Sequence, residues 1–168
     1  HCNTCNMCVI KREHHCMFVG YCVGHMNHRY FCLFLAYLWI GVGYCTYFNT
    51  VFLMRMMTST VTWGQLLKFL LPMIMLITGI DMSWMQLYIF FWSVHFAGFL
   101  LTSVLLIYHV RLIVFGTTTY ESNHNDRKYD LGWRQNLTEV FGRNWKVAAV
   151  WPFAESKLPH NGVNWDTK

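Results

Sequence analysis

The chain has 168 residues, of which 55% are hydrophobic and only 12% are charged, whereas charged residues make up roughly a quarter of a typical soluble domain. This composition excludes an ordinary soluble globular protein. Basic residues outnumber acidic ones by 13 to 8, giving a net charge of +5. Between residues 30 and 110 only Arg55, Lys68 and Asp81 are charged, so the middle of the chain is suited to lipid.

The first element is a polar head, residues 1–29, in which cysteines and histidines are concentrated. A Cys-x-x-Cys pair presents two thiolates to one metal ion, and tetrahedral Zn²⁺ then needs two further nitrogen or sulfur ligands. The candidates in the head are His1, Cys2, Cys5, Cys8, His14, His15, Cys16 and Cys22. These are more than one site can use, so either there are two sites or some of these residues are not ligands.

A second chemistry is possible at Cys16. A thiol beside an imidazole and a carboxylate can be activated as a nucleophile, whereas a thiolate in a closed metal site is a poor one. Glu13, His14 and Cys16 lie within four residues and supply these three groups. Spacing alone leaves both roles open for Cys16, the nucleophile and the metal ligand.

Two apolar segments are long enough to cross a membrane as helices, which takes about 20 residues. The first covers residues 30–54 and is bounded by Arg29 and Arg55. The second covers residues 87–110 and ends before Arg111. Both are predicted to be transmembrane helices, because a helix satisfies its own backbone hydrogen bonds in lipid.

Residues 55–86 form the predicted loop between the two spans. Within it, residues 69–80 are apolar but include Pro72 and Gly79, and are bounded by Lys68 and Asp81. This segment is too short to span a membrane. We expect a re-entrant or interfacial segment, or a helix packed over the bundle.

The distribution of charge predicts the orientation. Eleven of the 13 Lys and Arg residues, three before residue 30 and eight from residue 111 onward, flank the two spans. The positive-inside rule therefore places the head and the C-terminal region, residues 111–168, in the cytosol. A reducing compartment disfavours structural disulfides, so an extracellular disulfide-linked head conflicts with this charge asymmetry.

Three motifs in order along the chain resemble one known family. The first runs through the head and contains Cys-x-x-Cys-x-x-Cys, His-His-Cys, Cys22-Val23-Gly24-x-x-Asn27 and Arg29-Tyr30-Phe31. The second is Thr118-Thr119-Tyr120-Glu121, and the third combines Asp130-Leu131-Gly132 with Asn136 and Val140-Phe141-Gly142. Together they resemble the DHHC-type protein S-acyltransferases, also called palmitoyltransferases.

The resemblance implies a fold class. The expected protein is an α-helical polytopic membrane protein with two transmembrane helices in this chain, a small zinc-binding cysteine-rich cytosolic domain, and four helices in full. The chain is then expected to be the C-terminal part of a longer protein. Cys2, Cys5, His15 and Cys22 would form one complete zinc site. His1 and Cys8 would be half of a second site, completed by cysteines upstream.

The resemblance also implies catalytic roles. Cys16 would be the acylated nucleophile, His14 the base that takes its proton, and Glu13 the carboxylate that orients His14. The family has Asp where this chain has Glu13, which is one methylene longer. After the nucleophile the family usually has Pro-Trp, where this chain has Met17 and Phe18, so acyl preference and rate are in question more than reaction type.

Further residues receive expected roles from the resemblance. Phe18, Phe31 and Phe34 would line an acyl-chain cavity, with Leu38 and Gly41 following on the same helix. Supporting hydrogen bonds are expected from Thr118, Thr119, Glu121 and Asn136. The expected contacts for the phosphates of coenzyme A are Lys11, Arg12 and Arg29.

The implied function is protein-cysteine S-palmitoyl transfer from acyl-CoA, the co-substrate, to protein thiols. The alternative is a catalytically silent, zinc-organised membrane adaptor. The expected partners are membrane lipid, palmitoyl-CoA and cysteine-containing membrane or membrane-proximal proteins, without nucleic acid. An integral protein of the endoplasmic reticulum, Golgi or plasma membrane, with its active site in the cytosol, fits these expectations.

Overall fold

A computed structural model describes residues 1–57 and 63–167. The protein is mainly helical, with one small two-stranded sheet. Its residues form two compact units, one containing His1–Ala36 with Leu105–Lys168 and the other containing Tyr37–Val104. Positions 58–62 of the predicted loop and position 168 of the predicted C-terminal region lie outside the described residues.

The head folds around a hairpin of two short antiparallel strands, β1 (His14–Cys16) and β2 (Tyr21–Val23), with His15 opposite Cys22. The turn closes through a hydrogen bond of 2.9 Å from the Gly20 amide to the Cys16 carbonyl. Gly20 has a φ of +76°, which glycine adopts without a steric penalty. Side chains alternate along a strand, so His14 and Cys16 share one face of β1 and His15 lies on the other.

Two long helices, α1 (His28–Met56) and α4 (Trp84–Val114), account for the apolar body. Their most apolar windows have mean hydropathies of 1.6 and 1.9, so both are long and apolar enough to cross a membrane. The two predicted spans are therefore confirmed as helices. Each helix begins before and ends after the range predicted from the sequence.

The turn that leads into α1 is held by Asn27. Its side-chain oxygen accepts a hydrogen bond of 2.8 Å from the Gly24 amide, and its side-chain nitrogen donates one of 3.0 Å to the Cys22 carbonyl. These bonds connect the end of the hairpin to the first turn of the helix. Buried polar backbone groups near the site are thereby satisfied.

The unit Tyr37–Val104 contains two short helices, α2 (Trp63–Leu70) and α3 (Pro72–Ile77), where the sequence predicted an apolar segment too short to span. The break falls at Pro72, which lacks an amide hydrogen and therefore favours the first turn of a helix. The buried Gln86 side chain donates to the carbonyls of Lys68 and Pro72. Lys68 also pairs with Asp81, so the segment is tied to the start of α4.

The C-terminal region consists of short helices and turns. Its helices are α5 (Thr119–Asn123), α6 (Trp133–Phe141) and α7 (Trp145–Ala148). Helices α6 and α7 pack with the ends of the long helices around one apolar core, formed by Cys32, Ile113, Val140, Phe141 and Ala148. This core positions the residues after α4 beside the head.

Candidate active site and metal centre

Four predicted ligands converge in the head. Cys2, Cys5, His15 and Cys22 have ligand atoms that all lie within 4.8 Å of one another. The Sγ atoms of Cys5 and Cys22 are 3.7 Å apart, and the three sulfurs lie 3.2–3.8 Å from His15 Nδ1. With Zn–S bonds of about 2.3 Å and Zn–N bonds of about 2.0 Å, tetrahedral geometry separates two sulfurs by roughly 3.8 Å and sulfur from nitrogen by roughly 3.5 Å. The four residues therefore fit a zinc ion.

The hairpin explains why these residues meet. His15 and Cys22 are opposite each other in the strand register, so their side chains lie on one face. A bridge between Cys2 and Met7 folds the preceding loop back, which brings Cys2 and Cys5 to the same point. Four protein ligands leave no open position, which is the arrangement of a structural zinc site.

The electrostatics of the loop differ between its cysteines, since the pKa of Cys5 is raised, chiefly by burial, whereas two other interactions favour a thiolate. The pKa of Cys2 is lowered to about 6, chiefly because the backbone amide of Cys5 donates to its sulfur. The pKa of Arg12 is raised, chiefly by its hydrogen bond to the sulfur of Cys22. Thiolates are the form in which cysteine binds a metal, so both interactions suit metal binding.

His1 and Cys8 form a separate pair, with His1 Nδ1 3.4 Å from Cys8 Sγ. This separation matches two neighbouring ligands of a tetrahedral zinc ion. Cys8 is exposed, as is His1. The assignment of the pair to a second zinc site stays a prediction.

Cys16 lies apart from the zinc ligands. It is buried in a cluster with Val23, Phe31 and Leu35, and in the described part of the chain neither group of potential metal ligands includes it. His14 shares its face of the strand, and the His14 ring contacts the ring of Phe31 at 5.1 Å between centroids. Burial is the main cause that lowers the pKa of His14, which favours the neutral form of this imidazole.

Glu13 is anchored by Thr119, the first residue of α5. The backbone amide and hydroxyl of Thr119 donate to Glu13 Oε2 at 2.9 and 3.1 Å. Glu13 Oε1 is buried and has no hydrogen-bond partner. The pKa of Glu13 is raised, chiefly by burial, although the bonds from Thr119 oppose that shift. The expected contact of Glu13 with His14 is therefore not a hydrogen bond in this structure, where Thr119 is the partner of Glu13.

Thr118, Glu121 and Asn136 hold this region in place. Thr118 and Glu121 form a capping box at the start of α5, which orients Thr119. The Asn136 side chain is buried and bonds to the carbonyl of Val114, the amide of Leu131 and the carboxylate of Asp130. A Cβ atom at Gly116 would lie 2.8 Å from Asn136 Oδ1, so the turn after α4 requires glycine there.

The three phenylalanines predicted to line an acyl cavity occupy different environments. Phe31 is buried beside Cys16, whereas Phe34 is 45% exposed and Phe18 is 87% exposed. The Phe31 and Phe34 rings lie 6.4 Å apart, so the two residues share a helix face as their spacing predicted. Phe18 lies on the hairpin turn and is not part of the Cys16 cluster.

The three cations predicted to contact phosphates all have partners within the chain. The Lys11 ammonium lies 4.4 Å from the centre of the Trp165 ring, and Arg12 bonds to Cys22. Arg29 donates to the carbonyl of Ser156 at 2.9 Å. Binding of phosphates by these residues stays a prediction.

Sequence reasoning gave no role to two buried histidines near the site. His109 comes from α4, and its ring lies 5.5 Å from that of His14 and 4.9 Å from that of Phe31. His28 begins α1 and contacts His109. In the sequence, only the spacing of His28 and Cys32, which lie one helical turn apart, could have indicated that His28 belongs to a cluster of polar side chains.

Comparisons with known proteins identify the same family that the sequence motifs resemble. Residues 1–126 match the model of the DHHC palmitoyltransferase family. The chain is 33% identical over 99% of its length to "Probable palmitoyltransferase ZDHHC24" of Rattus norvegicus, and 36% identical over 88% to the protein of that name in Danio rerio. It is 32% identical over 88% of its length to "Palmitoyltransferase ZDHHC15" of Xenopus laevis. The chain spans 59%, 50% and 40% of these three relatives.

Proposed function

The chain belongs to the DHHC palmitoyltransferase family, and we propose that its protein transfers a long-chain acyl group from acyl-CoA to cysteine thiols of other proteins. The observation that carries this proposal is the placement of Cys16, which is buried in a cluster with Phe31, on the strand face that it shares with His14, and outside the four potential metal ligands. A thiol outside a metal site, with an imidazole on the same strand face, suits nucleophilic chemistry.

In the first step, the Cys16 thiol passes its proton to His14 and its sulfur attacks the thioester carbonyl of acyl-CoA. A carbon–sulfur bond forms to Cys16, the bond to coenzyme A breaks, and the departing thiolate takes the proton from His14. In the second step, a substrate cysteine attacks the acyl-enzyme thioester by the same route and frees Cys16. The two steps together are a covalent acyl transfer with no net oxidation.

Glu13, the chain neighbour of His14, and its hydrogen-bond partner Thr119 support this chemistry. A carboxylate near His14 stabilises the imidazolium that forms when Cys16 loses its proton. Thr119 fixes the position of that carboxylate with two hydrogen bonds. The roles of Thr118, Glu121 and Asn136 in this proposal are to hold Thr119 in place.

The zinc ion proposed for Cys2, Cys5, His15 and Cys22 supplies cross-links that keep the loop folded. His15 and Cys22 lie on opposite strands of the hairpin that contains Cys16, so the metal fixes the strand register around the nucleophile. Binding is coupled to folding because the ligands must be deprotonated and brought together. We assign His1 and Cys8 to a second zinc site on the same grounds of donor type and separation.

The proposal includes an orientation of the chain in the membrane. We place residues 1–29 and 111–168 on the cytosolic side and residues 55–86 on the other, because basic residues flank the two helices. The membrane is that of the endoplasmic reticulum, Golgi or plasma membrane.

Phe31 and Phe34 supply an apolar helix face for the acyl chain, whose burial is worth about 0.8 kcal/mol per CH₂. The protein substrates are membrane-bound or membrane-proximal.

The test uses purified full-length protein in detergent and labelled palmitoyl-CoA. We expect a covalent adduct that hydroxylamine removes, and that is absent in Cys16→Ser. Cys45→Ser, which changes an exposed cysteine of α1, is the matched control and should keep the label. Failure of folded, zinc-containing protein to acquire label would overturn the proposal and favour the silent adaptor.

A further inference from the structure

A second group of metal-ligating side chains lies outside the zinc site of the head. His28, Cys32 and His109 are all buried, and their ligand atoms lie within 4.8 Å of one another. His28 Nε2 and His109 Nδ1 are 3.4 Å apart. We propose that these three residues bind a borderline divalent cation, with Zn²⁺ the best match, in a site separate from the one formed by Cys2, Cys5, His15 and Cys22.

The local structure explains how three donors come together. His28 and Cys32 are four residues apart in the first turns of α1, so their side chains lie on the same face. His109 is contributed by the last part of α4, 81 positions further along the chain. Two ligands one turn apart on one helix and a third on another element is a usual way to build a metal site on helices.

The distance between the two imidazole nitrogens fits two ligands of one metal ion better than a hydrogen bond between the two rings. Two nitrogens bound to tetrahedral zinc at about 2.0–2.1 Å are separated by roughly 3.3 Å. An N–H hydrogen bond is usually 2.7–3.2 Å long, with a mode of about 2.9–3.0 Å. The observed 3.4 Å is therefore close to the edge of a zinc tetrahedron and beyond the usual range for hydrogen bonds.

The donor types select the class of ion. Imidazole nitrogen and thiolate sulfur suit Zn²⁺ and other borderline or soft metals, whereas Mg²⁺ and Ca²⁺ require oxygen ligands. Three protein ligands leave a fourth tetrahedral position open, unlike the four-ligand site in the head. The ion would also sit next to the active site, because the rings of His109 and His14 are 5.5 Å apart.

The surroundings favour occupancy by an ion rather than by water. Cys32 packs in an apolar core with Ile113 and Phe141, and Phe31 lies against His109 at 4.9 Å between ring centres. Buried donors surrounded by apolar side chains gain most from a ligand that satisfies them together. Occupancy would link the first turns of α1 to the last turns of α4, at the level of the nucleophile.

The first test measures metal content. Full-length protein is saturated with Zn²⁺, freed of excess ion by gel filtration, and analysed by plasma mass spectrometry. We expect Cys32→Ser and His109→Gln each to carry one zinc fewer per chain than the unchanged protein, and Cys45→Ser on the same helix to carry the full number. Equal zinc in the unchanged protein and in both variants would overturn the proposal.

The second test needs no variant at these positions, so it stands even if the substitutions prevent folding. The unchanged protein is treated with N-ethylmaleimide with and without Zn²⁺, and labelled cysteines are identified from their peptides. Zn²⁺ should slow the alkylation of Cys32 at least tenfold and leave that of the exposed Cys45 unchanged. Because Cys32 is buried, the reaction is run in a concentration of urea at which Cys32 reacts without Zn²⁺. Alkylation of Cys32 at the same rate with Zn²⁺ would show that no ion binds there.

Discussion

Thr119 donates two hydrogen bonds, one from its backbone amide and one from its hydroxyl, to the same carboxylate oxygen of Glu13. The other oxygen of Glu13 is buried without a partner. The carboxylate that precedes β1 is thus held by a residue 106 positions away. This pair connects two of the sequence motifs, and it makes the position of Glu13 depend on the turn that follows α4.

The hydroxyl of Thr119 can be removed while its amide bond remains. Thr119→Val should slow the formation of the acyl-enzyme about three- to tenfold, because a hydrogen bond to a charged group contributes about 1.5–3 kcal/mol and the remaining amide bond still holds most of the carboxylate's position. The rate is measured in single turnover with labelled palmitoyl-CoA. Thr119→Ser keeps the hydroxyl and should retain most of the rate, and equal rates in Val and Ser variants would contradict the role of the hydroxyl.

Loss of a zinc ligand should affect folding and acylation together. In Cys22→Ala the site keeps three ligands, and we expect one zinc fewer per chain, a lower melting temperature and no acyl adduct. Chelation of the unchanged protein should have the same effects. Metal analysis and thermal unfolding in detergent provide the measurements, with Cys45→Ser as control. Full zinc content and activity in Cys22→Ala would show that the ligand assignment is wrong.

Acid should loosen the C-terminal segment that packs on His25. His25 stacks on His160 at 5.3 Å, with Lys11 and Glu139 as its charged neighbours, and burial is the main cause that lowers its pKa below the usual 6.5. A histidine with a lowered pKa stabilises the folded state fully above its ordinary pKa, and this contribution declines as the pH falls below that value.

Hydrogen exchange of the backbone amides of residues 160–165 can detect this loss. Exchange, corrected for its intrinsic dependence on pH, should be severalfold faster at pH 5.5 than at pH 7.5. His25→Asn removes the titrating group and should reduce the difference between the two pH values. A pH dependence of the same size in His25→Asn would assign the effect to another group.

Gly24 lies where the hairpin approaches the preceding loop. A Cβ atom at this position would lie 2.6 Å from Val9 Cγ1 and 2.8 Å from the carbonyl oxygen of Ile10. Gly24→Ala should therefore destabilise the head by about 1–3 kcal/mol, the range for overpacking, and lower the melting temperature. Gly41→Ala is the matched control, because nothing lies within 4 Å of its Cβ position. An equal melting temperature in the Gly24→Ala variant and the unchanged protein would refute this account.

Local patterns predicted a large part of this structure. Hydropathy predicted both long helices, since a span needs only an uninterrupted apolar stretch. Cysteine spacing and the family resemblance together predicted the four ligands that converge in the head. Both patterns lie within short segments of the chain, so they can be recognised without knowing which distant residues pack together.

The parts that sequence reasoning missed depend on distant residues. Nothing local pairs Glu13 with Thr119, and the expectation based on sequence neighbours instead paired Glu13 with His14. His109 lies 81 positions from His28, so only the packing of two helices shows that they meet. The different exposure of Phe31 and Phe34, which share a helix face, also depends on what packs against that face.

The bond between Thr119 and Glu13 has a consequence for biosynthesis. A ribosome that has made the head and the first long helix has not yet made the partner of Glu13, which follows 106 positions later. A nascent chain at that stage lacks the residue that holds the Glu13 carboxylate. The arrangement of Glu13 seen in the folded protein can therefore form only after the second long helix has been made and the turn behind it has docked.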